Sequence, residues 1–253
     1  MGPLSQSLWW SGNLMLACIL FRAWRGRFLG RYPCFYGYVT GVLCKSLVRA
    51  YLLAVFPLTY QLAYWLSEAL CVVLGFTVTW EIYAQILAPY RGVGKLARAV
   101  LGTVMALVTA RAAVGLWGDP LRRLGPTTAE LEGILRVVQA LLLLAILGLI
   151  VQYTVPMGRN LRAMLMGYGF YIGCAVVTLN FHSRWGANMV SILDWAQRLG
   201  YAVTLAIWTV GMWSYSRNPA PDNSLECDYN RISEHTTRAL GQLRNHLIHS
   251  WRP

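Results

Sequence analysis

The sequence predicts an all-α polytopic membrane protein: a seven-transmembrane-helix bundle with the N-terminus outside, the C-terminus cytoplasmic and a short C-terminal amphipathic helix. Three observations predict it. Apolar runs recur along the chain at about the 20 residues a helix needs to cross a bilayer. Of 253 residues, 57% are hydrophobic and 13% charged, with a mean hydropathy of +0.45, whereas an ordinary soluble domain carries about 25% charged residues. The basic residues fall in short loops between the apolar runs, on alternate sides of the bundle.

The first run, residues 4–21, carries Trp9 and Trp10 at its outer end as an interfacial anchor. It lacks the basic start and small-residue cleavage site of a signal peptide. A basic loop follows with Arg22, Arg25, Arg27 and Arg31. Spans two (35–56) and three (60–87) are joined by the tight turn Phe56-Pro57-Leu58-Thr59. The next loop carries Arg91, Lys95 and Arg98, with Pro89 and Gly92 as breakers. Span four covers 96–117. The longest loop, GDPLRRLGPTTAELE, offers Thr127 or Thr128 as a helix cap with Glu130 or Glu132 in the first turn. Span five (133–155) is Leu-rich and stops at Pro156. Arg159 and Arg162 precede span six (161–181), where Gly167, Gly169 and Gly173 suit close helix approach. Span seven covers 188–213.

Charge sets the orientation. The first, third and fifth loops hold four, three and two Lys or Arg and no acid. On the other side Asp119, Glu130 and Glu132 balance Arg122, Arg123 and Arg184. The side with the Lys and Arg excess is cytoplasmic. Residues 1–216 then form the transmembrane domain and 217–253 a cytoplasmic linker and tail. In the tail, Ile232, Leu240, Leu243, Leu247 and Trp251 fall near helical spacing among Arg231, Arg238, Arg244 and His249. Such a helix suits anionic lipid, or a protein partner or second copy of the chain.

The net charge of +12 invites a nucleic-acid reading, but a nucleic-acid binder gathers Lys and Arg on one face. Here they mark loops, so no nucleic-acid partner is expected. The six cysteines form no C-x-x-C and no Cys/His cluster at metal spacing, so no metal site is expected. Neither G-x-S-x-G, H-E-x-x-H nor a P-loop occurs. No catalytic residue and no cofactor are therefore expected.

The chemistry that remains lies in the membrane. Lys45, Arg49, Glu68 and Glu81 sit inside the hairpin of spans two and three, where each must face protein, water or a partner. Arg49 lies eight residues before Pro57 and Glu68 eight after Tyr60, so both sit roughly 12 Å below the outer turn. Adjacent antiparallel helices bring such a pair together, and the guanidinium fork matches a carboxylate. Lys45, one turn below Arg49, can also reach Glu68 or snorkel. Glu81 reads as an interfacial salt bridge to Arg91 or Lys95.

Arg111, Arg136, Asp194 and Arg198 belong to the same outer half, interleaved with Tyr64, Trp65 and other aromatics. A ligand-binding cavity open to the outside would collect Arg49, Glu68, Arg111, Arg136, Asp194, Arg198, Tyr64 and Trp65. Separate salt bridges fixing helix register would use the same residues. Four Arg against two acids favour an anionic ligand or lipid head group. The expected protein is a non-enzymatic sensor, receptor-like or accessory module of the inner or plasma membrane. The alternative is a small transporter or channel subunit for an anionic or lipid-like ligand, a class built on repeats and broken helices that this chain does not display.

Overall fold

The structure, a computed structural model, describes residues 3–56, 59–115, 117, 120–185, 190–216, 218–219, 227–234, 236 and 238. Among them there is no strand. The helices are α1 (Pro3–Arg25), α2 (Pro33–Val55), α3 (Tyr60–Ile86), α4 (Arg91–Gly115), α5 (Pro120–Tyr153), α6 (Arg159–Trp185) and α7 (Val190–Gly211), with one 3-10 turn at Leu29–Arg31. The predicted apolar runs thus become helices.

Five of these helices, α2 to α6, are long and apolar enough to cross a membrane. The other two, α1 and α7, fall outside that set among the described residues. They pack against each other. Around the bundle α1 meets α2, α2 meets α3, α3 meets α5, α5 meets α6, and α6 meets α7. Helix α4 lies against α3 and α5, and α3 also reaches α6.

The core runs along the α2, α3, α6 and α7 faces, where Phe35, Val39, Phe76, Ile82, Met164, Tyr168, Leu205 and Trp208 are fully buried. Leu141, Leu144 and Val151 of α5 point outward and are more than half exposed. That much apolar surface suits lipid rather than water. Two glycines set the α6–α7 spacing. A Cβ on Gly167 would stand 2.4 Å from the Trp208 ring nitrogen, and one on Gly211 2.0 Å from the Ala163 Cβ.

Helix α5 corrects the loop expected before span five. It starts at Pro120, runs 34 residues through Pro126 and measures about 51 Å at 1.5 Å per residue. That exceeds a hydrocarbon core of about 30 Å. Pro120 stands at the first helical position, where proline costs no hydrogen bond. Pro126 does cost one, and packing offsets it. A Cβ on Gly125 would stand 2.9 Å from the Trp65 indole, and Thr127 packs against Gly115 of α4. Thr127 and Thr128 are accordingly buried inside the helix, past its start, and are not its N-cap.

The basic ends of the helices interlock. Helix α2 begins without a side-chain cap from its own N-cap, Tyr32. Both Glu81 carboxylate oxygens of α3 do that work instead, accepting from the Cys34 amide at 3.2 Å and the Phe35 amide at 2.8 Å. Of the two expected Glu81 salt bridges, the one with Lys95 is absent among the described residues, because the buried carboxylate spends its acceptors on orphan amides, and the Arg91 side chain lies outside the described residues. Asn160, buried at the start of α6, donates to the Gly211 and Ser214 carbonyls and accepts from the Ser216 amide. Of the tail, residues 227–234 are helical, and Ile232 is exposed. Leu240, Leu243, Leu247 and Trp251, the rest of the expected stripe, lie outside the described residues.

Candidate functional site

Lys45 and Arg49 are four residues apart on α2, so both point at the face of α3 that carries Tyr64, Ser67 and Glu68. Arg49 uses its whole fork there. Its Nε donates to Ser67 Oγ at 2.8 Å, and one Nη donates to the Tyr64 carbonyl at 2.7 Å and to Glu68 Oε2 at 2.8 Å. The Arg49 guanidinium also lies over the Tyr64 ring, 4.0 Å from its centre, a cation–π arrangement. Lys45 Nζ donates to both Glu68 carboxylate oxygens, to Oε1 at 3.4 Å and to Oε2 at 3.3 Å. Glu68 is therefore clasped by two cations, and all three side chains keep only 16–20% of their exposure.

A small polar cavity of about 50 Å³ opens beside this triad, between α2, α3, α5 and α6. Lys45 and Glu68 line one part of it. Glu132 and Arg136 of α5 line another and pair with each other one turn apart. The inner wall carries Tyr38, Gln139, Tyr168 and Tyr171. Gln139 donates to the Tyr168 hydroxyl at 3.1 Å, which donates to the Gly75 carbonyl at 2.6 Å. Only glycine leaves room for that bond, because a Cβ at position 75 would stand 2.7 Å from the Tyr168 oxygen. Trp208 stacks on Tyr168 from behind and holds the ring in place.

Of the residues expected in the site, the structure brings Arg49, Glu68, Tyr64 and Arg136 to the triad and its cavity. Trp65 stands next to them, edge-on to Tyr64 at 5.1 Å. Arg111 is elsewhere. It pairs with Glu130 at 2.6 Å on the α4–α5 surface, with both side chains about half exposed. The extended α5 carries Glu130 alongside α4 and so takes Arg111 away from the cluster. Arg198 lies exposed on α7, over the Trp195 ring, outside the cavity wall. Asp194 falls within α7, and its side chain lies outside the described set.

Sequence reasoning missed Glu132, Gln139, Tyr168 and Tyr171 as members of the site. A signal for two of them exists: Glu132 and Gln139 lie one turn before and after Arg136, so one face of α5 is polar. Tyr168 and Tyr171 share a face of α6 by the same spacing.

Two cations, Lys45 and Arg136, and two carboxylates, Glu68 and Glu132, line the cavity, and Arg49 pairs with Glu68 just outside it. The five-residue network carries one net positive charge, beside the hydroxyls of Tyr38, Tyr168 and Tyr171 and the Gln139 amide. Among the described residues no group of three or more His, Cys, Asp or Glu could hold a metal. No protein-family model matches the chain, and no curated protein or solved structure matches it.

Proposed function

We propose that the protein is a non-enzymatic sensor, receptor-like or accessory module of the cell membrane, and that the cavity between α2, α3, α5 and α6 binds a small anionic group. In this reading all seven helices cross the bilayer, with α1 and α7 packed against each other. The N-terminus is outside, and the helix ends rich in Lys and Arg face the cytoplasm, following the positive-inside rule. The observation that carries the reading is the five-residue charged network around a polar cavity inside the bundle: Lys45, Glu68, Glu132 and Arg136 line it, and Arg49 on Glu68 brings the net charge to plus one. Intramembrane charges are costly and mark functional sites by default. A cavity of about 50 Å³ has room for one or two waters or for one carboxylate-sized group, since a water occupies roughly 30 Å³ of liquid.

Isothermal titration of the purified full chain with acetate, chloride and phosphate tests this. The proposal predicts saturable binding of at least one of these anions, lost in Arg136→Gln. Heats that are the same for wild type and Arg136→Gln would reduce the network to a structural role. Flux of the bound anion into proteoliposomes would instead place the chain with small anion transporters.

A further inference from the structure

A second cavity, about ten times larger than the first, opens where α3 ends and α4 begins, with a volume of about 500 Å³. It lies at the basic end of the bundle, where Lys95 and Arg98 line it. The space exists because Ala88, Gly94 and Ala97 line it with almost no side chain. Its floor is Leu87 with Tyr83 and Tyr90. Tyr83 is pinned there, its hydroxyl donating to the Leu142 carbonyl of α5 at 2.5 Å.

The charged members of the wall are Lys95 and Arg98, and no Asp or Glu lines it. Among the described residues neither cation forms an ion pair. Arg98 is nevertheless oriented, since its Nε donates to the Gly94 carbonyl at 3.0 Å. Two cations one turn apart, over an apolar floor and at the end of two membrane-length helices, match one chemistry. We infer that this crevice is a binding site for the headgroup of an anionic phospholipid. Lys95 and Arg98 face the phosphate, and the floor of Leu87, Tyr83 and Tyr90 meets the upper acyl region. Volumes of roughly 300–1,000 Å³ are typical of ligand pockets, and basic clefts between membrane helices suit such headgroups. The inference does not depend on the smaller cavity, which shares no residue with this one.

Tyr229 of the tail packs against Gly92, so closely that a Cβ there would stand 2.3 Å from its ring. The tail thus reaches the first turn of α4, just before Lys95, and a bound headgroup would lie next to it.

Native mass spectrometry of the detergent-purified full chain tests the inference with phosphatidylglycerol and phosphatidylcholine of matched acyl chains. The expected result is a preference for phosphatidylglycerol on the order of tenfold, as two basic contacts near an anionic headgroup provide. Lys95→Gln with Arg98→Gln should abolish the preference, while Arg111→Gln at the other end should leave it intact. Ala88→Leu, which fills the crevice without touching charge, should weaken binding and so covers the case in which the double variant fails to fold. Equal retention of the two lipids by wild type would overturn the inference. So would displacement of phosphatidylglycerol by millimolar inorganic phosphate, which would assign the crevice to a soluble anion.

Discussion

Arg49 of α2 and Glu68 of α3 meet at 2.8 Å inside the bundle, and Lys45 pairs with the same carboxylate at 3.3 Å. Breaking such a pair leaves one charge without its partner, at a cost of about 3–5 kcal/mol when the pair is fully buried. These side chains retain some exposure, so Arg49→Ala should cost about 2–3 kcal/mol. Glu68→Ala should cost at least as much, because it strands both Lys45 and Arg49. In a double-mutant cycle read by reversible unfolding in mixed micelles, the two losses should be coupled by about 1 kcal/mol or more. Additive losses would mean that the pair contributes no joint stability.

Gly75 and Tyr168 allow a sharper test of the inner wall. Gly75→Ala forces the new methyl group against the Tyr168 hydroxyl and should destabilise by about 1–3 kcal/mol through overpacking. Tyr168→Phe removes the hydroxyl that clashes and should recover much of that loss in the double variant. If Tyr168→Phe makes Gly75→Ala worse, the two residues do not meet as described.

Orientation is testable at two exposed positions. Gly30 lies in the turn before α2, with nothing within 4 Å of an added Cβ, and Trp117 follows α4 with 80% of its surface exposed. In a background whose native cysteines are replaced, an impermeant thiol reagent applied to intact cells should label Trp117→Cys. Gly30→Cys should react only after lysis. The reverse pattern would invert the proposed topology.

The α2–α3 hairpin and its ion pair were legible in the sequence because a tight turn leaves little choice. It makes the two helices neighbours, and counting 1.5 Å per residue from the turn places Arg49 opposite Glu68. The start of α5 was not legible, because Gly125, Pro126, Thr127 and Thr128 are loop formers by local preference. Their helix depends on packing against Trp65 and Gly115, which are distant in sequence. That one misreading displaced Arg111, whose partner Glu130 rides on the unexpected helical extension. The role of Glu81 was hidden for another reason. Its partners are backbone amides of α2, which leave no trace in residue identity. The inner wall of the cavity was missed because tyrosines on an apolar helix read as core until Gly75 and Gln139 are seen against them.

In the proposed function, Lys45, Arg49, Glu68, Glu132 and Arg136 act as one electrostatic site whose net positive charge draws an anion. The most direct test follows the melting temperature of wild type, Arg136→Gln and Glu132→Gln as acetate is raised at constant ionic strength. A ligand that binds the folded state raises the melting temperature by mass action, so the slope against acetate reports affinity whatever the stability of each variant. The account predicts slopes of opposite change: lower than wild type in Arg136→Gln, where the surplus charge is gone, and higher in Glu132→Gln, where it doubles. The same slope in all three proteins would contradict it.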